Sequence, residues 1–184
     1  NPYFFTDGNK ENLSFVFEII KKFKINKDEF FKTLRNFSGL KYRQQIIYRS
    51  KNLTIINDSK ATSYSSSISI LKSLSNVYWI VGGLAKKGDK FLLSKRYCKT
   101  FKAYIFGKNK NFFIKQLKNK MSCQSFKSLS FLIKKVLFDI KKEKNIEHKT
   151  ILFSPAAASF DSFKNFEDRG EEFNKLIKIL RFKK

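Results

Sequence analysis

The chain is poor in the residues that most metal and nucleophile chemistry needs: two cysteines, one histidine and two prolines among 184 residues. Cys98 and Cys123 cannot build a disulfide framework, and their positions show no metal-ligand spacing. His148 stands alone in the charged stretch 144–149 and is expected as a surface loop residue. Neither a His/Cys metal centre nor a Ser-His-Asp triad is therefore expected. No apolar run reaches the roughly 18 residues of a membrane span, and no signal peptide opens the chain. The expectation is a soluble cytoplasmic protein that makes no use of a membrane. A start at Asn1 rather than Met reads as part of something longer.

Acidic side chains are also scarce, 15 against 39 basic ones, for a formal charge of +24. Such a charge points first to a polyanion such as nucleic acid. Codon bias offers a second source. Lysines outnumber arginines 33 to 6, and alanine occurs only six times, as an AT-rich genome would produce. Arginine is the residue preferred for bidentate recognition of phosphates and bases, and this chain is short of it. With 42% hydrophobic and 16% aromatic residues, the chain can bury a real core.

Along the chain, Leu13, Val16, Phe17 and Ile20 share one helical face. Asn26 and Glu29 have capping-box spacing for a second helix, which Ser38-Gly39 stops. The periodicity then changes. Runs 46–48 and 53–56 predict a hairpin about 50–52, and Asp58-Ser59 can cap a helix carrying Tyr64, Ile68 and Leu71. Ser65 to Ser67 fit a solvated face of that helix. Residues 77–81 read as a buried strand ending at Gly82-Gly83, 103–106 as another, and 150–153 as a third. Amphipathic helices follow from Phe126 to Ile140 and from Phe173 to Leu180. Strands alternating with helices predict an α/β fold with a mainly parallel sheet, whose ligands bind beyond the carboxyl ends of the strands.

Three strand-end loops are the places to look. Loop 57–62 puts Asp58, Ser59, Lys60 and Thr62 where a strand meets a helix, as an anion site or simply a cap. Loop 82–89 has glycines for close approach and Lys86-Lys87, yet it lacks the order of a P-loop. Loop 154–161 holds three of the six alanines, which implies a steric need for small side chains where a ligand or another backbone passes.

In this order the loops resemble the carboxy-terminal part of the Mur ligase family, most nearly its D-glutamate-adding branch. The residues carrying the resemblance are Gly39-Leu40-Lys41-Tyr42-Arg43, Asn57-Asp58-Ser59-Lys60-Ala61-Thr62, Gly82-Gly83-x-x-Lys86 and the run from Ser154 through Ser159, Phe166 and Arg169 to Gly170. Asn9-x-x-Asn12 resembles the family's pair just before the last helices of its central ATPase domain. Ser63 stands where the family usually has Asn, and Tyr42 where it usually has His.

The resemblance implies a Rossmann-like domain over 44–184, a hinge at 39–43 and a helical stub of the ATPase domain over 1–38. It implies an ATP-dependent amide ligase that joins D-glutamate to UDP-N-acetylmuramoyl-L-alanine through an acyl phosphate, in a monomer that does not bind nucleic acid. Thr62, Lys86, Ser159 and Phe166 would hold D-glutamate, with Lys87 an alternative to Lys86. Asn12, Arg43, Asp58 and Lys60 would face ATP or ADP, with Asp58 a ribose acceptor. The UDP-binding domain, the P-loop and the Mg2+ ligands would precede residue 1, so residues 1–184 alone would hold no catalytic residue and would not ligate. Another Mur or folylpolyglutamate-type ligase domain, a ligand-binding relic without turnover, and a basic nucleic-acid-binding domain are the rival readings.

Overall fold

The structure is a computed structural model and describes residues 1–143 and 147–182; of the charged stretch 144–149, residues 144–146 lie outside the described residues. Six strands form one sheet in the order β1-β2-β6-β3-β4-β5. The antiparallel hairpin β1 (Gln45–Arg49) and β2 (Leu53–Asn57) opens it, with its turn where the sequence predicts. The strands β3 (Val77–Gly82), β4 (Phe101–Phe106), β5 (Ser122–Ser125) and β6 (Lys149–Phe153) pair in parallel, and β6 also pairs in parallel with β2. The mainly parallel α/β architecture agrees with the sequence pattern.

Strand β3 shows why its run is apolar throughout. Alternate side chains point to opposite faces of a sheet, and here both faces are covered. Val77, Trp79 and Val81 join one core cluster with Phe113 and Leu117 of α4 (Lys110–Leu117) and Ile70 of α3 (Tyr64–Leu71). Tyr78 and Ile80 join the other with Leu132 and Val136 of α5 (Leu129–Lys142) and Phe173 of α6 (Phe166–Phe182). Each buried aliphatic side chain contributes about 1.5–3 kcal/mol.

The amino-terminal helices α1 (Asp7–Lys22) and α2 (Lys27–Asn36) form as the periodicity predicts. Thr6 caps α1, and the Asn26 side chain accepts from the amides of Asp28 and Glu29 to open α2. Helix α1 touches α3. Phe15, Val16, Ile19 and Phe23 of this region are nevertheless exposed.

Several expectations are corrected. Asp58-Ser59 caps no helix: α3 begins at Tyr64, and its cap is Ser63. The Asp58 amide is already spent on Phe153 O, and that of Ser59 on Asn57 Oδ1, so the chain turns over β6 before the helix starts. Ser67 does not belong to a solvated face; it is fully buried and bonds Ser154. Phe126 precedes α5 and stacks on Tyr104. Helix α6 starts seven residues before Phe173. The expectations above include neither α4, although Phe113 and Leu117 give it a buried face, nor the short edge strand β5, which is polar and mostly exposed.

Candidate functional site

Strands β2, β6 and β3 are neighbours, so their carboxyl-end loops meet along one edge. The β3 and β6 loops are stitched by an antiparallel bridge between Leu84 and Ala158, each amide donating to the other carbonyl at 3.0 Å. The Gly82 amide donates to Pro155 O. A Cβ on Gly83 would lie 2.7 Å from Ala158 O and 3.2 Å from the Ala157 Cβ. The alanines are small because another backbone passes there, the second of the two causes the composition allowed.

Arg169 ties the β2 loop to the β6 loop. Its guanidinium is fully buried and donates from Nε to Ser59 Oγ (3.1 Å), from Nη2 to Ser59 O (2.7 Å) and from Nη1 to Ala157 O (3.0 Å). Burial pulls its pKa down to about 10, with the Asp161 charge opposing. The planar fork of arginine reaches three acceptors that one ammonium would not. Sequence pattern assigns Arg169 no role, although it is one of only six arginines in a lysine-rich chain.

Asp58 lies at the base of the same edge. Its carboxylate accepts from the Gln44 amide (3.1 Å) and from Ser154 Oγ (2.8 Å), and Ser154 Oγ also bonds Ser67 Oγ (2.7 Å). Burial pushes the Asp58 pKa up to about 7, against the lowering effect of those hydrogen bonds and of the Arg43 charge. The segment before β1 is thereby fastened to the loop. Gly39, Tyr42 and Gln44 all have positive φ, which turns the chain sharply within six residues. Tyr42 O accepts from the Lys60 amide, the Tyr42 hydroxyl donates to Glu171 (2.7 Å), and the ring rests on Gly170. That hydrogen bond, with burial second, raises the tyrosine pKa to about 12.

The candidate residues fall as follows. Lys60 and Phe166 are in direct contact, the ammonium 3.9 Å from the ring centroid. Ser59 Oγ donates to Phe166 O, which holds the start of α6 against the β2 loop. Ser159 is buried next to the Leu84–Ala158 bridge, and Lys86 follows the other side of that bridge by two residues. Lys86, Lys87, Thr62 and Arg43 are exposed. Asn12 is exposed on α1, and no hydrogen bond among the described residues joins it to the other seven. His148 is exposed, as expected, and held between Thr54 and Lys51 O. The α3 amino terminus is taken by a protein carboxylate, since the Tyr64 amide donates to Asp89 at 2.7 Å.

No family model matches the chain. Among curated proteins it is 36% identical over 174 residues to the UDP-N-acetylmuramoylalanine--D-glutamate ligase of Wolbachia sp. subsp. Brugia malayi (strain TRS), covering 95% of this chain and 34% of that one. Proteins of the same name are 34% identical over 170 residues in Rickettsia felis and 33% identical over 184 residues in Francisella philomiragia, covering 38% and 42% of those chains. Over nearly its whole length the chain is similar to part of these D-glutamate ligases.

The chain spans 34–42% of the length of these three Mur ligase relatives, in their carboxy-terminal portion. Among solved structures, the MurF ligase of Thermotoga maritima in complex with ADP is similar with a TM-score of 0.54 at 14% identity, over 95% of this chain and 39% of that one. At that identity the likeness concerns the fold. No helix of the described residues is long and apolar enough to cross a membrane.

Proposed function

We propose that the chain is the amino-acid-binding part of an ATP-dependent ligase that joins D-glutamate to UDP-N-acetylmuramoyl-L-alanine in peptidoglycan synthesis. The observation that carries this reading is the convergence of three strand-end loops on one sheet edge, in a chain homologous to D-glutamate ligases. Residues 1–38 would belong to the neighbouring ATP-binding unit, 39–43 to the hinge and 44–184 to the ligand-binding domain.

In this reading Thr62, Lys86, Ser159 and Phe166 hold D-glutamate. The Lys86 ammonium pairs with a carboxylate, and the two hydroxyls donate hydrogen bonds. Asn12, Arg43, Asp58 and Lys60 face the nucleotide, with Arg43 and Lys60 countering phosphate charge. The Lys60–Phe166 contact supports a common border, because it joins a residue of the nucleotide group to one of the amino-acid group. Each Asp58 oxygen already accepts one hydrogen bond, which leaves a single further lone pair on each for a ribose hydroxyl.

The reaction transfers the terminal phosphoryl group of ATP to the carboxylate of UDP-N-acetylmuramoyl-L-alanine and releases ADP. The D-glutamate amine then attacks the acyl phosphate, expels inorganic phosphate and forms the amide. This chain orients the amine and screens phosphate charge. Magnesium would supply further charge neutralisation; among the described residues no group of three or more His, Cys, Asp or Glu side chains could hold it. Residues 1–184 contain no P-loop sequence, so we assign that cradle, the metal ligands and turnover itself to the part of the ligase outside the match. The same reading makes the protein a cytoplasmic monomer.

The test is calorimetric titration of the chain with D-glutamate and with L-glutamate. D-glutamate should bind, and the L-enantiomer about tenfold more weakly or worse. Equal binding of the two, or none to the folded chain, would overturn the reading.

A further inference from the structure

The opposite edge of the sheet carries a feature that the ligase reading leaves unused. The amino-terminal ends of β3, β4, β5 and β6 frame a cavity of about 620 Å³. Five lysines line it: Lys95, Lys99, Lys102, Lys120 and Lys149. Among the described residues that line it, two carboxylates, Glu143 and Glu147, accompany the five lysines. Both carboxylates are already engaged. Glu143 pairs with Lys102 and accepts from the Tyr78 hydroxyl, while Glu147 accepts from Asn76 Nδ2 at 2.9 Å.

The lysines are not all loose ends of a solvated coat. Lys120 is anchored, its Nζ donating to Phe91 O (2.7 Å) and Leu93 O (2.9 Å), which leaves one N–H. Those two carbonyls open the segment that carries Lys95 and Lys99. There the Cys98 amide donates to Lys95 O and the Phe101 amide to Cys98 O, so the chain makes successive turns before β4, and both Lys95 and Lys99 line the cavity. Tyr78, Cys98, Phe101 and Met121, all buried, lie behind them. A concave wall with low-dielectric backing focuses the field of its charges more than a convex surface does.

We propose that this cavity binds a small multivalent oxyanion, of the chemistry of linked phosphate groups, at a site separate from the ligand loops. Lys95, Lys99 and the free N–H of Lys120 grip the anion, and Lys102 and Lys149 set the potential around it. A codon bias would raise the number of lysines in the chain; it would not gather five of them around one cavity with two engaged carboxylates.

Calorimetric titration of the chain with tripolyphosphate at an ionic strength of about 0.15 M tests this, where charges beyond about 8 Å are screened. One site is expected beyond any binding at the phosphate-facing ligand edge, and the exposed pair Lys95→Gln/Lys99→Gln should weaken it by about tenfold. Removing two other exposed charges, Lys134→Gln/Lys178→Gln, should leave it unchanged, and it should persist in Lys60→Gln/Lys86→Gln, which removes only the share bound at the ligand edge. Equal loss in all three double variants, loss only in the ligand-edge pair, or no binding would overturn the proposal. So would competition by duplex RNA with multiple binding, which would make the whole lysine coat the binding surface. Loss confined to the Lys95/Lys99 pair would uphold it whether or not D-glutamate binds, so this site and the ligase reading can fail separately.

Discussion

Arg169 and Ser59, 110 residues apart, are joined by two hydrogen bonds, Nε to Oγ at 3.1 Å and Nη2 to the carbonyl at 2.7 Å. One side chain thereby sets the spacing between the first and third ligand loops. Truncation of Arg169 to Ala leaves three acceptors without their donor and a cavity in the core. Arg169→Ala should lose about 2–5 kcal/mol in urea denaturation. Arg169→Lys should recover only part of it, because an ammonium cannot reproduce the fork.

Tyr42 and Gly170 are a second such pair. A Cβ on Gly170 would lie 2.4 Å from a ring carbon of Tyr42. In an open helix, Gly→Ala gains about 0.5–1 kcal/mol. Here Gly170→Ala should instead cost about 1–3 kcal/mol, because the ring must move. In a Tyr42→Ala background the same change should be neutral or stabilising. A double-mutant cycle by thermal denaturation reads the sign directly.

Asp58 makes stability depend on pH. Its folded pKa, about 7, lies above the ordinary value of 3.8, so the folded state holds the proton more tightly. The resulting stabilisation is complete below about pH 4 and is lost as pH rises through about 7. Asp58→Asn should remove that slope. The stability difference between wild type and Asp58→Asn should change by about 2–4 kcal/mol between pH 4 and pH 8, measured as urea unfolding free energies.

Lys86 and Lys87 are adjacent and both exposed, so exposure does not choose between them. On the proposed reading, Lys86→Ala and Ser159→Ala should each weaken D-glutamate binding by about tenfold, and Lys87→Ala by less than about twofold. Unchanged binding in Lys86→Ala with loss in Lys87→Ala would move the assignment by one residue.

Much of the fold is legible in the sequence because burial leaves periodic marks. The run 77–81 is apolar at every position because both faces of β3 are covered. The hairpin turn falls at 50–52 because the apolar runs stop there. Strand β5 leaves no mark, since Ser122–Ser125 sits at the sheet edge with three of its four residues exposed. Asp58 misleads because a carboxylate before a helix looks like a cap, whereas its partners Gln44 and Ser154 are distant in sequence.

The sequence by itself determines the α/β class, the three loops and their resemblance to the Mur ligases, since periodicity and contiguous runs are local properties of the chain. Tertiary structure alone decides that Arg169 pins two loops, that Lys60 lies on Phe166, and that the alanines make way for the Leu84 backbone. It also decides that five scattered lysines share one cavity. The reason is the sheet order, in which β6 inserts between β2 and β3 and makes neighbours of loops separated by about a hundred residues.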